Sequence, residues 1–172
     1  MSAQDPSPTK PSSIVRNATP ADLPAILKML RELSAAHVEY DGARFVPPED
    51  LESVYGPWLA RATSGGDLLA LVLTADYGEA SGRLTGYLVA EHFESQPEYW
   101  SGPCVYVHDI YVEPEARATG AAAALLARAR AWAGARGVSQ LRALVATANA
   151  RSLAFFARQG FRQCAVEVDL DL

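Results

Sequence analysis

Cysteine is scarce in this 172-residue chain: Cys104 and Cys164 are the two it has, and they stand far apart. No Cys-x-x-Cys pair exists, and His37, His92 and His108 do not fall at metal-ligand spacing. This argues against structural zinc, and no metal is expected. Lysine is scarcer than its charge class suggests, with Lys10 and Lys28 alone among 15 basic residues against 20 acidic ones. The formal net charge is -5. An acidic chain gains no long-range attraction to nucleic acid or to an anionic membrane surface, so neither partner is expected. The sign favours a cationic small substrate mildly, because acidity also serves solubility. No apolar run approaches the length of a membrane span. The segment Met1–Ser13 lacks the apolar stretch of a secretory leader. The expectation is a cytoplasmic protein.

What is present fits a globular domain: 49% hydrophobic and 20% charged residues, enough for one sizeable core. Residues 1–13, rich in Pro and Ser, read as a disordered tail, and 14–172 as a single domain. Ile14–Arg16 reads as a short strand. Thr19 then caps a helix with Pro20 at its first position, and Leu23, Ile26, Leu27 and Leu30 recur at helical spacing. A second helix is predicted from Glu49 to about Arg61. Asp67–Ala75 and Arg83–Glu91 form an antiparallel hairpin, and Val105–Val112 a further strand. A helix from Gly120 to Ala135, a strand Leu141–Thr147, a helix Ala150–Gln159 stopped by Gly160, and a last strand Phe161–Leu172 complete the chain. This order predicts an α/β fold with a mixed, mostly antiparallel central sheet of about six to seven strands and helices on both faces.

The connection after Val112 reads Glu113-Pro114-Glu115-Ala116-Arg117-Ala118-Thr119-Gly120-Ala121-Ala122. Pro114 ends the ladder for want of a donor. Arg117, Gly120 and Ala122 then stand at R-x-x-G-x-A spacing ahead of a helix. A helix start offers unpaired N–H groups and the positive end of the dipole, and small residues let a pyrophosphate reach them. The Gly-Lys-Ser/Thr ending of a Walker loop is absent, as are the three glycines of a dinucleotide fingerprint.

A second motif follows the next strand: Asn149-Ala150-Arg151-Ser152-Leu153-Ala154-Phe155-Phe156-Ala157-Arg158-Gln159-Gly160-Phe161. With Arg117–Ala122 it resembles the GNAT superfamily of N-acetyltransferases. There an R/Q-x-x-G-x-G/A loop precedes an N-x-x-(A/S)-x-x-(F/L)-Y-x-x-x-G-F segment. The likeness spans roughly Ile14 to Phe161. Either motif alone is moderate, and the two in order at this separation are specific.

The resemblance implies an acetyl-CoA-dependent transferase acting on a primary amine of a small molecule, diamine-like or amino-acid-like, or of a peptide. It implies pantetheine contacts from Ile110, Tyr111 and Val112. It implies pyrophosphate contacts from Arg117, Ala118, Thr119, Gly120, Ala121 and Ala122, and further cofactor contacts from Asn149, Ser152 and Phe156. Asn149 also suits the N-cap of its helix. The family often has a tyrosine where Phe156 stands, and phenylalanine cannot donate a proton to the departing thiolate.

His108 and Asp109 are the candidate catalytic pair. The run His108-Asp109-Ile110-Tyr111-Val112 looks like the Glu-Asp-apolar run of the spermidine/spermine (diamine) acetyltransferase branch, with His for Glu. A base must take a proton from the ammonium, and histidine titrates in the right range. Strict alternation puts His108 with Tyr106, Ile110 and Val112, and Asp109 on the opposite face with Val107 and Tyr111. A bulge would bring both to one cleft. Glu39, Tyr40 and Tyr99 are the substrate-side candidates, and Asp41, Glu91 and Glu94 are further acidic ones. Phe156 and His108 depart from the family pattern, so a non-catalytic acyl-CoA sensor is the second reading. A homodimer through the last strand is expected.

Overall fold

Leu68–Ala75 is Leu, Ala and Val with a single Thr, and every residue in it is buried. Leu69, Leu71 and Leu73 enter one core, while Leu68, Ala70 and Val72 enter another. A strand whose two faces are both apolar must be covered on both sides. It sits inside a sheet with helices above and below. A computed structural model describes residues 13–75, 82–95 and 102–170.

Among the described residues the sheet has five strands in chain order: β1 (Ser13–Asn17), β2 (Leu68–Ala75), β3 (Leu84–Phe93), β4 (Cys104–Val112) and β5 (Leu141–Ala143). The first three pairings are antiparallel and the last, β4 with β5, is parallel. Helices α1 (Leu23–Tyr40) and α2 (Leu51–Thr63) cover one face through Ile26, Leu27, Leu30 and Leu59. Helix α3 (Ala121–Gly134) covers the other with Leu125, Leu126, Ala129 and Ala133. Truncating a fully buried leucine such as Leu125 to alanine costs about 2–5 kcal/mol in such a core. Helix α4 (Ala150–Arg158) lies at the end of β5.

Local chemistry sets the starts of these helices. Arg16 grips Asp22 with two bonds of 2.8 Å, and Asp22 also accepts the Thr19 N–H at 2.7 Å. This pins β1 to a short 3₁₀ turn, Pro20–Asp22, that leads into α1. The Asp50 side chain accepts from Ser53 N at the start of α2, and the Asn149 side chain from Ser152 N at the start of α4.

Four expectations change. The sheet has five strands among the described residues, fewer than the six to seven expected. β5 stops at Ala143, because β4 and β5 separate there. Residues 161–170 form no strand; their carboxylates turn to Arg44, with Glu167 at 2.9 Å and Asp169 at 3.8 Å. Ser13, placed in the tail by composition, opens β1. Tyr99 lies outside the described residues. Among the described residues no helix is long and apolar enough to cross a membrane.

Candidate active site

β4 pairs with β5 only from Val105 to Val107. Among the described residues no strand runs beside β4 beyond that point on that side, so its edge from His108 to Val112 is open along its backbone. The register with β3 also slips there: Val89 faces Asp109 but Ala90 faces Val107, leaving His108 as the extra residue of a β-bulge. Val105 and Val107 enter the α3 core, as do Ile110 and Val112, while Tyr111 enters the α1/α2 core. His108 meets Trp58 of α2, and Asp109 feels His37 of α1. The bulge therefore sends two consecutive titratable side chains to the same side of the sheet, where strict alternation would have separated them.

The loop after β4 folds back on the strand. Arg117 Nε donates to the Val112 carbonyl oxygen at 2.8 Å, and its guanidinium sits 5.9 Å from the centre of the Tyr111 ring. Thr119 Oγ1 donates to the Ala116 carbonyl at 2.8 Å. Ala118 and Gly120 both take left-handed backbone, with φ of 61° and 95°. Gly120 caps α3, and the first hydrogen bond of the helix runs from Ala124 N to Gly120 O. The N–H groups of Ala121, Ala122 and Ala123 thus have no carbonyl one turn back and point out of the helix start. Alternating handedness followed by a helix N-terminus is an anion-binding arrangement.

These pieces line one cavity of about 700 Å³. Its walls include Ile110, Tyr111 and Val112 of the open edge, Arg117, Ala118, Gly120, Ala121 and Ala122 of the loop, and Asn149 and Ser152 of α4. Opposite stand Glu32, Glu39 and Tyr40 of α1. Thr119 and Phe156 are absent from the lining; Phe156 is buried against Phe161, and Phe155 takes the wall position. The cavity has two electrical ends: Arg117, Arg151 and Arg158 on the loop and α4 side, Glu32 and Glu39 on the α1 side. Arg151 and Arg158 were missed in the sequence. They stand at i and i+7 of α4, on the face that carries Phe155 at i+4, so helical spacing would have found them.

His108 and Asp109 lie just beyond the cavity wall at Ile110. Nε2 of His108 is 3.1 Å from Glu91 Oε2. Burial lowers the histidine's pKa from its ordinary value, and the Glu91 carboxylate opposes that. Asp109 is more enclosed, and burial pushes its carboxyl up to about 6 against the opposing pull of His37 and Tyr87. The Tyr87 hydroxyl is fully buried beside Asp109 but reaches no hydrogen-bond geometry with it. On the cavity side, Tyr111 donates to Glu32 at 2.5 Å, and burial with that bond pushes the phenol up to about 12. Among the described residues no group of His, Cys, Asp and Glu is arranged to hold a metal ion.

The cavity fits a carrier that is anionic at one end and peptide-like along its length. Loop amides and arginines suit phosphates, and an open strand edge suits the amides of a pantetheine arm. A mixed sheet that parts over a helix N-terminus defines an enzyme built to hold such a carrier at the parting. The chain belongs to the acetyltransferase (GNAT) family, whose model matches residues 30–161. It is an N-acetyltransferase that takes its acyl group from acetyl-CoA. Its fold is shared with the BH1408 protein of Bacillus halodurans, solved as a tetramutant (21% identity, 92% of this chain and 99% of that one, TM-score 0.78). It is shared with the aminoglycoside N-acetyltransferase AAC(6')-Iy in complex with CoA (18%, 96% and 98%, TM-score 0.72). It is also shared with an aminoglycoside acetyltransferase from an uncultured soil metagenomic sample in complex with trehalose (15%, 93% and 96%, TM-score 0.64). No curated protein matches by sequence.

Proposed function

We propose that the acceptor is a small-molecule primary amine with positive charge beyond the reacting nitrogen, and that His108 is the base. One observation carries this reading: a single cavity runs from the loop at Arg117–Ala122 along the open edge of β4 to Ile110, two residues from the bulge at His108, with carboxylates on its α1 wall. Acetyl-CoA brings the thioester carbonyl that the amine attacks. Loop N–H groups with Arg117, Arg151 and Arg158 hold the phosphates. The edge of β4 at Ile110–Val112 aligns the arm. Glu32, Glu39 and Tyr40 attract a cation into the space between α1 and β4, and His108 takes the ammonium proton. Asp109, set beneath the cleft against Tyr87 and His37, supplies the second titratable group. The likeness of His108–Val112 to the diamine branch makes a diamine one such acceptor; aminoglycosides, the substrates of two fold neighbours by name, are another.

Thiol release from acetyl-CoA across a panel of amines tests this. The panel spans a diamine, an aminoglycoside, an uncharged monoamine and an amino-terminal peptide. kcat/KM should rise with the number of ammonium groups and fall with salt. Equal rates for the charged and uncharged amines would overturn the charge reading.

The C-terminal segment supports a further proposal, a homodimer. Val166, Val168 and Leu170 alternate along it and are 80%, 85% and 82% exposed, while Glu167 and Asp169 turn inward to Arg44. An extended segment with one bare apolar face suits the outer edge of β5 in a second copy, an edge that no described strand covers.

A further inference from the structure

A histidine works as a base only through a ring nitrogen that carries no proton and faces its substrate. A free imidazole can exchange tautomers and flip its ring. Around His108 that freedom is restricted. Its Nε2 lies 3.1 Å from Oε2 of Glu91, which stands on β3 beside the bulge and pairs across to Tyr106. Three aromatic rings frame the imidazole: Tyr106 at 5.0 Å, Trp58 edge-on at 5.2 Å and Phe93 at 6.4 Å between centroids. The two polar side chains keep 30% and 24% of their surface, open enough to meet a substrate and closed enough to limit screening. An ionised carboxylate can only accept, so the hydrogen between the pair belongs to Nε2.

We propose that Glu91 is a positioning residue of the transfer reaction: it holds His108 as the Nε2–H tautomer and leaves Nδ1 as the nitrogen that receives the amine proton. The inference rests on His108 as the base, as read above. In the step itself the ammonium gives its proton to Nδ1. The freed nitrogen lone pair forms the N–C bond to the acyl carbon, the C–S electron pair leaves with sulfur, and the second amine proton passes to the departing thiolate, which leaves the neutral amide and free thiol. Glu91 then faces an imidazolium, whose charge it stabilises. The other groups packed on the ring are uncharged: Trp58 from α2, Phe93 from β3 and Tyr106 from β4. Asp109, next along β4, is turned to Tyr87 and His37.

Glu91→Gln separates this role from a merely structural one. It keeps the shape and removes the charge. We expect kcat to fall at least about tenfold, as when a carboxylate that orients a histidine is removed. The KM for acetyl-CoA should hold, and the acid limb of the pH–rate profile should move to lower pH, since an ionised Glu91 raises the His108 pKa and glutamine does not. Glu91→Asp should restore the limb towards the wild-type position. A Glu91→Gln limb at the wild-type pH would overturn the proposal. Nitrogen-15 NMR of His108 in the wild-type protein decides independently of activity and of the variant's folding. A dominant Nε2–H tautomer above the limb is expected, and a dominant Nδ1–H tautomer would overturn the proposal. His108→Gln tells the two levels apart. Wild-type turnover in that variant would sink the base and Glu91's role together. Lost turnover there with an unshifted Glu91→Gln profile would sink Glu91 alone.

Discussion

Arg117 Nε donates to the carbonyl oxygen of Val112 at 2.8 Å, so the cation of the phosphate loop is tied to the strand it follows. It braces the loop and presents its remaining N–H groups to the cavity. Arg117→Ala should weaken acetyl-CoA binding about 10- to 100-fold, the worth of one or two hydrogen bonds to a charged group. Arg117→Lys should recover only part of that, because an ammonium cannot reach the carbonyl and a phosphate at once. Titration calorimetry with acetyl-CoA reads both variants; equal affinities for Ala and wild type would contradict the assignment.

Gly120 has φ of 95° at the start of α3. Gly120→Ala forces a side chain into left-handed backbone at a cost of about 1–2 kcal/mol. Melting should come earlier by several degrees, and acetyl-CoA affinity should drop with it as the N–H groups turn away. Ala118, at φ of 61°, carries the same strain in the native protein. Ala118→Gly should leave the melting temperature unchanged or raise it. Thermal unfolding with and without acetyl-CoA checks the pair.

Asp109 gives a stability change with a definite sign. Its folded carboxyl titrates near 6, above the value of about 3.9 for a free aspartate. The folded state therefore holds the proton more tightly. The group's contribution is fully present below about pH 4 and is lost as pH rises through 6. Asp109→Asn, neutral throughout, should melt higher than wild type at pH 8 and lack that part of the decline. Melting curves from pH 4 to 8 test this; a lower melting temperature for the variant at pH 8 would contradict it.

The exposed apolar row of the C-terminal segment predicts association. Val168→Asp should shift the protein from dimer to monomer in light scattering at micromolar concentration, with little change in acetyl-CoA binding. A wild-type monomer under the same conditions would remove the dimer.

Much of the site was legible in the sequence, and the gaps have physical causes. Arg117, Ala118, Gly120, Ala121, Ala122 and Asn149 line the cavity because capping and helix-terminus chemistry are local. Strict alternation separates His108 from Asp109, and the register slip between Val89 and Ala90 is what brings them to one side; the step of three from Val107 to Ile110 is the sequence signal that marks it. The extent of β5 was not legible, since a strand lasts only as long as its neighbour runs beside it, and β4 departs after Val107. Residues 161–170 have strand periodicity but pair with no described strand of their own chain. The exchange of Phe156 for Phe155 at the wall depends on the tilt of a nine-residue helix, which periodicity alone does not set.

A crystal structure of the protein with acetyl-CoA decides where the carrier sits. Pyrophosphate density is expected against the N–H groups of the Arg117–Ala123 loop and helix start, the arm along Ile110–Val112, and the acetyl carbon at the end of the cavity nearest His108. Acetyl-CoA seated elsewhere, such as the smaller hollow between α2 and α3 lined by Thr63, Arg128 and Trp132, would contradict it. So would an acetyl group pointing away from His108.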